Sequence, residues 1–225
     1  MRILPGSIAR HKFFRRSHDP IWQMQLGILV IMALQFFTDS SFLPYDKIWI
    51  IGVEAVLMVS ILLATHDGYS RISKLRRSLA LTFIAIVAVI NIFSLFFLIQ
   101  DLLFSADLVK SGPALLLNAF IIYVTNIFVF ALWYWEIDGG GPDRRVIDAR
   151  QRDFVFPQMI HSGVAADGWL PGYIDYLYLS TTNVTNFASA DTLPLSHRAK
   201  LLMMIQALVS VAIVVLVAAR AIGVL

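Results

Sequence analysis

Five long apolar runs, at residues 21–37, 48–65, 79–100, 114–135 and 198–222, constrain this 225-residue chain more than any other feature. A helix of about 20 residues crosses the roughly 30 Å of a bilayer's hydrocarbon. Hydrophobic residues make up 58% of the chain, too many for a soluble domain of this size to bury. The expected fold is all-α: a polytopic membrane protein with five transmembrane helices. The first two runs are a little short, so their helices are expected to extend into the flanks. Thr38, Asp39, Ser40 and Pro44 mark the first turn, and Ser111-Gly112-Pro113 marks the third, with Pro113 suited to a helix start. Gly139-Gly140-Gly141-Pro142 ends the fourth run, and no internal repeat is visible.

The charges supply an orientation. Arg2, Arg10, Lys12, Arg15 and Arg16 precede the first run. Arg71, Lys74, Arg76 and Arg77 follow the second, and Arg144, Arg145, Arg150 and Arg152 follow the fourth. The other two loops hold only Lys47 and Lys110. Cytoplasmic loops carry the excess of Lys and Arg. The basic segment 1–20 is therefore expected in the cytoplasm and the C-terminus outside, in a plasma (inner) membrane. A net charge of +3, spread over these loops, speaks for topology and against nucleic acid as a partner. With no cysteine, disulfides, thiolate metal sites and thiol catalysis are excluded. The first run has no small-residue cleavage site behind its basic flank and reads as a retained anchor.

The segment 173–187, YIDYLYLSTTNVTNF, is only about half apolar, and Asp175 makes it expensive as a lone lipid-facing span. Tyr173, Tyr176, Leu177 and Leu179 form one apolar stripe, which an interfacial helix would also use. Irregular backbone at membrane depth survives only against protein or water. The favoured expectation is a re-entrant half-helix entering from the cytoplasm and ending in hydroxyl and amide groups, with an interfacial helix and a buried polar helix as the alternatives. Phe154, Phe156 and Met159 are expected in a short interfacial helix before it, and 163–172 along the interface.

This arrangement resembles the pore module of the potassium-channel superfamily. In that comparison 114–135 is the outer helix, 173–181 the pore helix and 198–222 the inner helix. Residues Thr181, Thr182, Asn183, Val184, Thr185, Asn186 and Phe187 fall where the family has threonine-threonine-valine-glycine-tyrosine-glycine-aspartate, with 182–187 as the filter itself. Asp191-Thr192-Leu193-Pro194-Leu195 resembles the exit from the filter. The likeness covers about half the chain. The whole layout is also similar to an uncharacterised bacterial family of small five-helix membrane proteins. The resemblance implies a homo-oligomeric, tetrameric ion channel, with permeant inorganic ions, membrane lipid and its own copies as partners.

The departures shape the expectation. No glycine lies between Gly172 and Gly223, so the alternating backbone of a four-site carbonyl filter is not expected. The side chains of Thr182, Asn183, Thr185 and Asn186 are the expected liners. Rings of hydroxyls and amides offer donors and acceptors alike. Weak selectivity for cations follows from the resemblance and from the lack of a fixed cation at the filter. The cytoplasmic entry inverts the potassium-channel orientation and resembles the inverted loop of ionotropic glutamate receptors.

Behind the tip, Met203, Gln206, Ser210, Ile213 and Val217 recur at three- and four-residue spacing and are expected to line an inner-helix path. The other reading of Gln206 and Ser210 is bonding to a neighbouring helix. His197, Arg198 and Lys200 stand at the entrance, where they would either attract anions or anchor the helix end. Glu54 is the intramembrane carboxylate, a candidate coupling group. Asn91, Asn118 and Asn126 are expected to bond between helices. No Arg ladder, zinc spacing or catalytic motif is present, so neither a voltage sensor, a metal, a cofactor nor an enzyme is expected. Residues 21–104 read as a peripheral scaffold and 114–225 as the pore-like module, with 136–172 its cytoplasmic loop. The rival functions are an anion-selective channel of the same architecture, a secondary transporter using Glu54, and a non-conducting scaffold.

Overall fold

A computed structural model describes residues 21–38, 43, 46–66, 70–104, 112–145, 152–160, 169–186 and 191–224. Helices α1 (Ile21–Phe37), α2 (Lys47–His66), α3 (Ser70–Phe104) and α4 (Gly112–Ile137) follow the first four apolar runs. Short elements come next: a 3-10 turn (Asp138–Gly140), α5 (Pro142–Arg145), β1 (Phe154–Val155) and α6 (Pro157–Ile160). Then come α7 (Tyr173–Thr185), β2 (Leu193–Pro194) and α8 (His197–Val224). The fold is all-α apart from the two-residue strands, which pair antiparallel with Phe154 opposite Pro194 and Val155 opposite Leu193.

Three helices among the described residues are long and apolar enough to cross a membrane: Lys74–Asp101, Pro113–Gly140 and His197–Ala219. They make this a candidate multi-pass membrane protein. Helix α1, at 17 residues, is apolar but shorter. At 13 residues α7 is about 20 Å long and cannot span hydrocarbon alone.

Helix α4 is the axis of the bundle, contacting α1, α3, α7 and α8. One apolar core gathers Met24, Ile28 and Ile31 of α1, Phe83 and Val87 of α3, Tyr134 and Trp135 of α4, and Tyr176 of α7. A second, towards the other end, joins Leu95, Leu98, Leu115, Ala119, Ile122 and Ile213. The outward faces remain apolar, as Trp49, Val56 and Leu63 of α2, Phe93 and Phe96 of α3, and Met204, Leu208 and Val215 of α8 are exposed. Contiguous exposed apolar surface of this kind suits lipid or a partner rather than water.

The turn after α4 sets up everything that follows. Gly139, Gly140 and Gly141 hold φ of 59°, 84° and 99°, a left-handed run that only glycine adopts cheaply. It ends α4 and folds Arg145 back beneath it. The β1–β2 pair then fixes where α8 begins, helped by the Leu195 N–H donating to the Asp153 carbonyl at 2.8 Å.

Two local expectations are corrected. Phe154 and Phe156 are buried rather than spread along an interface, and only the four residues of α6 are helical beyond them. The expected helix end at Thr181 is also wrong, because α7 continues through Thr185. Without a glycine to break it, the segment stays helical, and Thr181, Thr182 and Thr185 donate their hydroxyls to carbonyls one turn back. Residues 1–20, most of 163–172, and Phe187 lie outside the described residues.

Candidate functional site

Helix α7 lies in a groove between α4 and α8, and a buried polar network holds it there. The Asn183 amide donates to Gln206 Oε1 at 2.9 Å and to the Met203 carbonyl at 3.1 Å. Gln206 Nε2 donates to Ser180 Oγ at 2.6 Å and to the Ser180 carbonyl at 3.2 Å. The Ser180 hydroxyl donates to the Ile127 carbonyl of α4 at 2.7 Å. Tyr134 donates its hydroxyl to Gln206 Oε1, the same oxygen that Asn183 reaches. Asn126 donates to Ser210 Oγ at 2.9 Å, and Ser210 donates to the Gln206 carbonyl. All six side chains are buried.

The levels of these contacts give α7 its depth. Ile127 stands ten residues before the end of α4 and Gln206 nine after the start of α8, so each contact is about 14–15 Å along its helix. The polar part of α7 thus sits near the middle of α4 and about a third of the way along α8. At its C-terminal end Thr185 and Asn186 are exposed, and no basic residue occupies the last turn.

A second cluster underlies the N-terminal half of α7. Asp138 is fully buried and accepts from the Tyr176 hydroxyl at 2.6 Å and from the backbone N–H of Asp153 at 2.7 Å and of Phe154 at 3.2 Å. Arg145 donates to the Trp135 carbonyl at 2.7 Å and to the Tyr176 hydroxyl at 2.8 Å. Its guanidinium lies over the Trp135 and Tyr176 rings at 5.6 and 5.0 Å. Arg152 lies 3.5 Å from Asp138, and Arg76 lies 3.4 Å from the buried Glu136. Asp153 accepts from Arg198 through both oxygens at 2.6 Å. Burial pushes the Asp153 carboxyl up, but the hydrogen bonds from Arg198 and Ser196, the Arg198 charge and the Gly139 N–H outweigh it, leaving it below the usual carboxylate range.

The expected site residues fall into separate environments. Asn183 and Val184 are buried within the chain, Thr181 and Thr182 are half-buried, and Thr185 and Asn186 face outward. Met203, Gln206, Ser210 and Ile213 are all buried against α4 or α7, with Val217 packed on the second core, so the expected inner-helix lining is turned inward. Its polar members bond neighbouring helices instead. Arg198 is tied to Asp153, while His197 and Lys200 stand exposed beside it. Asn126 bonds across helices, whereas the Asn118 amide donates to Ala114 within α4. Glu54 is fully buried in α2, away from the network. Among the described residues no group of His, Cys, Asp or Glu could hold a metal.

Sequence reasoning missed the roles of Asp138, Arg145, Asp153 and Tyr176. The one available signal was Asp138 standing directly before three glycines, where a chain reversal can bury it. No family model, curated protein or solved structure matches this chain.

Proposed function

We propose that this chain is one subunit of a homo-oligomeric, cation-permeable channel, with α7 as a re-entrant half-helix and its exposed tip at the ion path. The observation that carries the reading is a 13-residue helix held against two longer ones whose C-terminal tip exposes two polar side chains, Thr185 and Asn186. A helix C-terminus presents unpaired carbonyls and the negative end of the macrodipole. That end favours a cation, and no Lys or Arg in the last turn of α7 cancels it. A single tip cannot enclose a path, so symmetry mates must complete it; a four-fold ring is the proposed assembly. Helices α1–α3 form the peripheral scaffold, and five membrane crossings with a cytoplasmic N-terminus complete the topology.

Asn183 and Gln206 act in this reading as positioning residues that brace the tip. The filter assignment contracts to Thr185, Asn186 and the neighbouring carbonyls. The test is reconstitution in liposomes with bi-ionic recordings. Replacing Asn186 by Asp or Ala should shift the reversal potential between cations, and a wild-type protein that passes no ions would end the proposal.

A rival has its own support. The polar groups of α7 and α8 satisfy one another within a single chain, as expected of a non-conducting membrane scaffold. That reading predicts a monomer or dimer in detergent and no flux.

A further inference from the structure

Glu54 of α2 and Gln35 of α1 form a polar pair that the α4–α7–α8 site does not use. Glu54 is 0% exposed and Gln35 4%. The Gln35 side chain lies against the Glu54 carboxyl. Yet among the described residues neither oxygen of Glu54, nor Oε1 or Nε2 of Gln35, has a hydrogen-bond partner. Four orphaned polar atoms in one buried place need an explanation, because an unmet buried polar group costs free energy and an unpaired buried charge costs far more.

Among the described residues no counter-charge is at hand. Helix α1 carries no charged residue. On α2 the other titratable residues are Lys47 and His66, at its two ends. On α3, the other element packed on α2, Arg71, Lys74, Arg76 and Arg77 lie near the start and Asp101 near the finish. Arg76 is engaged with Glu136.

The chemistry of the two groups is complementary in one protonation state only. An ionised carboxylate accepts and cannot donate, so Gln35 Oε1 would face it without a hydrogen. The acid form has one O–H and one carbonyl; the amide has one carbonyl and one N–H pair. The acid O–H then donates to Gln35 Oε1 while Gln35 Nε2 donates to the acid carbonyl, closing a ring that satisfies all four heavy atoms. We infer that Glu54 and Gln35 form a proton-binding site, with the bound proton closing an acid–amide ring that ties α1 to α2. Release of that proton breaks the ring and loosens the α1–α2 contact. The inference stands whether or not the chain conducts ions.

The test uses the full chain in phosphatidylcholine liposomes. Dicyclohexylcarbodiimide reacts with protonated carboxyls in apolar surroundings, and the adduct is located by mass spectrometry. Glu54 should be labelled at neutral pH, and labelling should fall as the pH is raised. Infrared spectra should show a deuterium-sensitive protonated-carboxyl band that disappears in Glu54→Gln and moves to higher frequency in Gln35→Leu. An unlabelled Glu54 at neutral pH would overturn the inference, as would labelling blocked by sodium ions, which would put a metal cation in place of the proton. A band unmoved in Gln35→Leu would overturn the ring. The wild-type labelling decides the protonation even if a variant does not fold.

Discussion

The amide of Asn183 and the Gln206 side chain meet at 2.9 Å inside the protein, joining the half-length α7 to the long α8. Gln206 also accepts from Tyr134 and donates to Ser180, so one glutamine connects three helices. Removing one partner from such a network leaves the others unmet, at a cost of about 1–3 kcal/mol per orphaned group. Gln206→Leu should therefore destabilise the protein more than Asn183→Leu, because it orphans more groups. Thermal unfolding in detergent reads the order. A double-mutant cycle should show coupling well above zero, as contacting residues do; additive effects would mean that the two side chains act separately.

The Asp138 cluster should be the more sensitive of the two sites. Its carboxylate accepts from Tyr176 and two backbone N–H groups, with Arg145 and Arg152 beside it. Breaking a buried ion pair from one side costs about 3–5 kcal/mol, since the remaining charge is stranded. Asp138→Ala should lower the yield of folded protein sharply. Tyr176→Phe, which removes a hydroxyl but keeps the ring on Phe154 and Phe156, should cost much less. Comparing recovery by size-exclusion chromatography checks the ranking, and equal losses would show that the Tyr176 hydroxyl matters as much as the Asp138 charge.

How far these features were legible depends on the kind of signal. The apolar runs that became α3, α4 and α8 are readable because hydrocarbon demands length and little else. The polarity of 173–187 likewise points to an unusual helix. The direction in which that polarity faces is not readable. Gln206 and Ser210 share one face in any α-helix, and only the position of α4 decides whether the face meets water or protein. Arg145 reads as a loop charge that sets topology, and the three glycines after Asp138 mark a turn without showing that it folds Arg145 beneath α4.

Acid should loosen the start of α8. The Asp153 carboxyl sits below its ordinary range, chiefly because Arg198 and its other donors outweigh burial. A carboxyl depressed in the folded state contributes stability that is present above its unfolded value, about 4, and is lost as the pH falls through the lower folded value. Unfolding temperature should therefore drop on acidification through that window. Asp153→Asn should flatten this part of the profile and lower stability at neutral pH. An unchanged acid limb in the variant would assign the sensitivity to another carboxyl.

Gly27 is where α1 makes room for α7. A β-carbon there would collide with the hydroxyl end of the buried Tyr173 ring, which lies edge-on to Trp135. Forcing extra atoms into a packed core costs about 1–3 kcal/mol. Gly27→Ala should therefore destabilise the protein, even though alanine is the better helix former. The Tyr173 hydroxyl is the nearest obstacle, and it has no hydrogen-bond partner of its own. Tyr173→Phe alone should therefore be close to neutral, and combined with Gly27→Ala it should recover only part of the loss, because the ring's Cζ would still lie 2.8 Å from the new β-carbon. Unfolding temperatures of the two single variants and the pair test this. If the pair is no better than Gly27→Ala, the clash lies with the ring itself, and α7 must shift bodily to admit the methyl group.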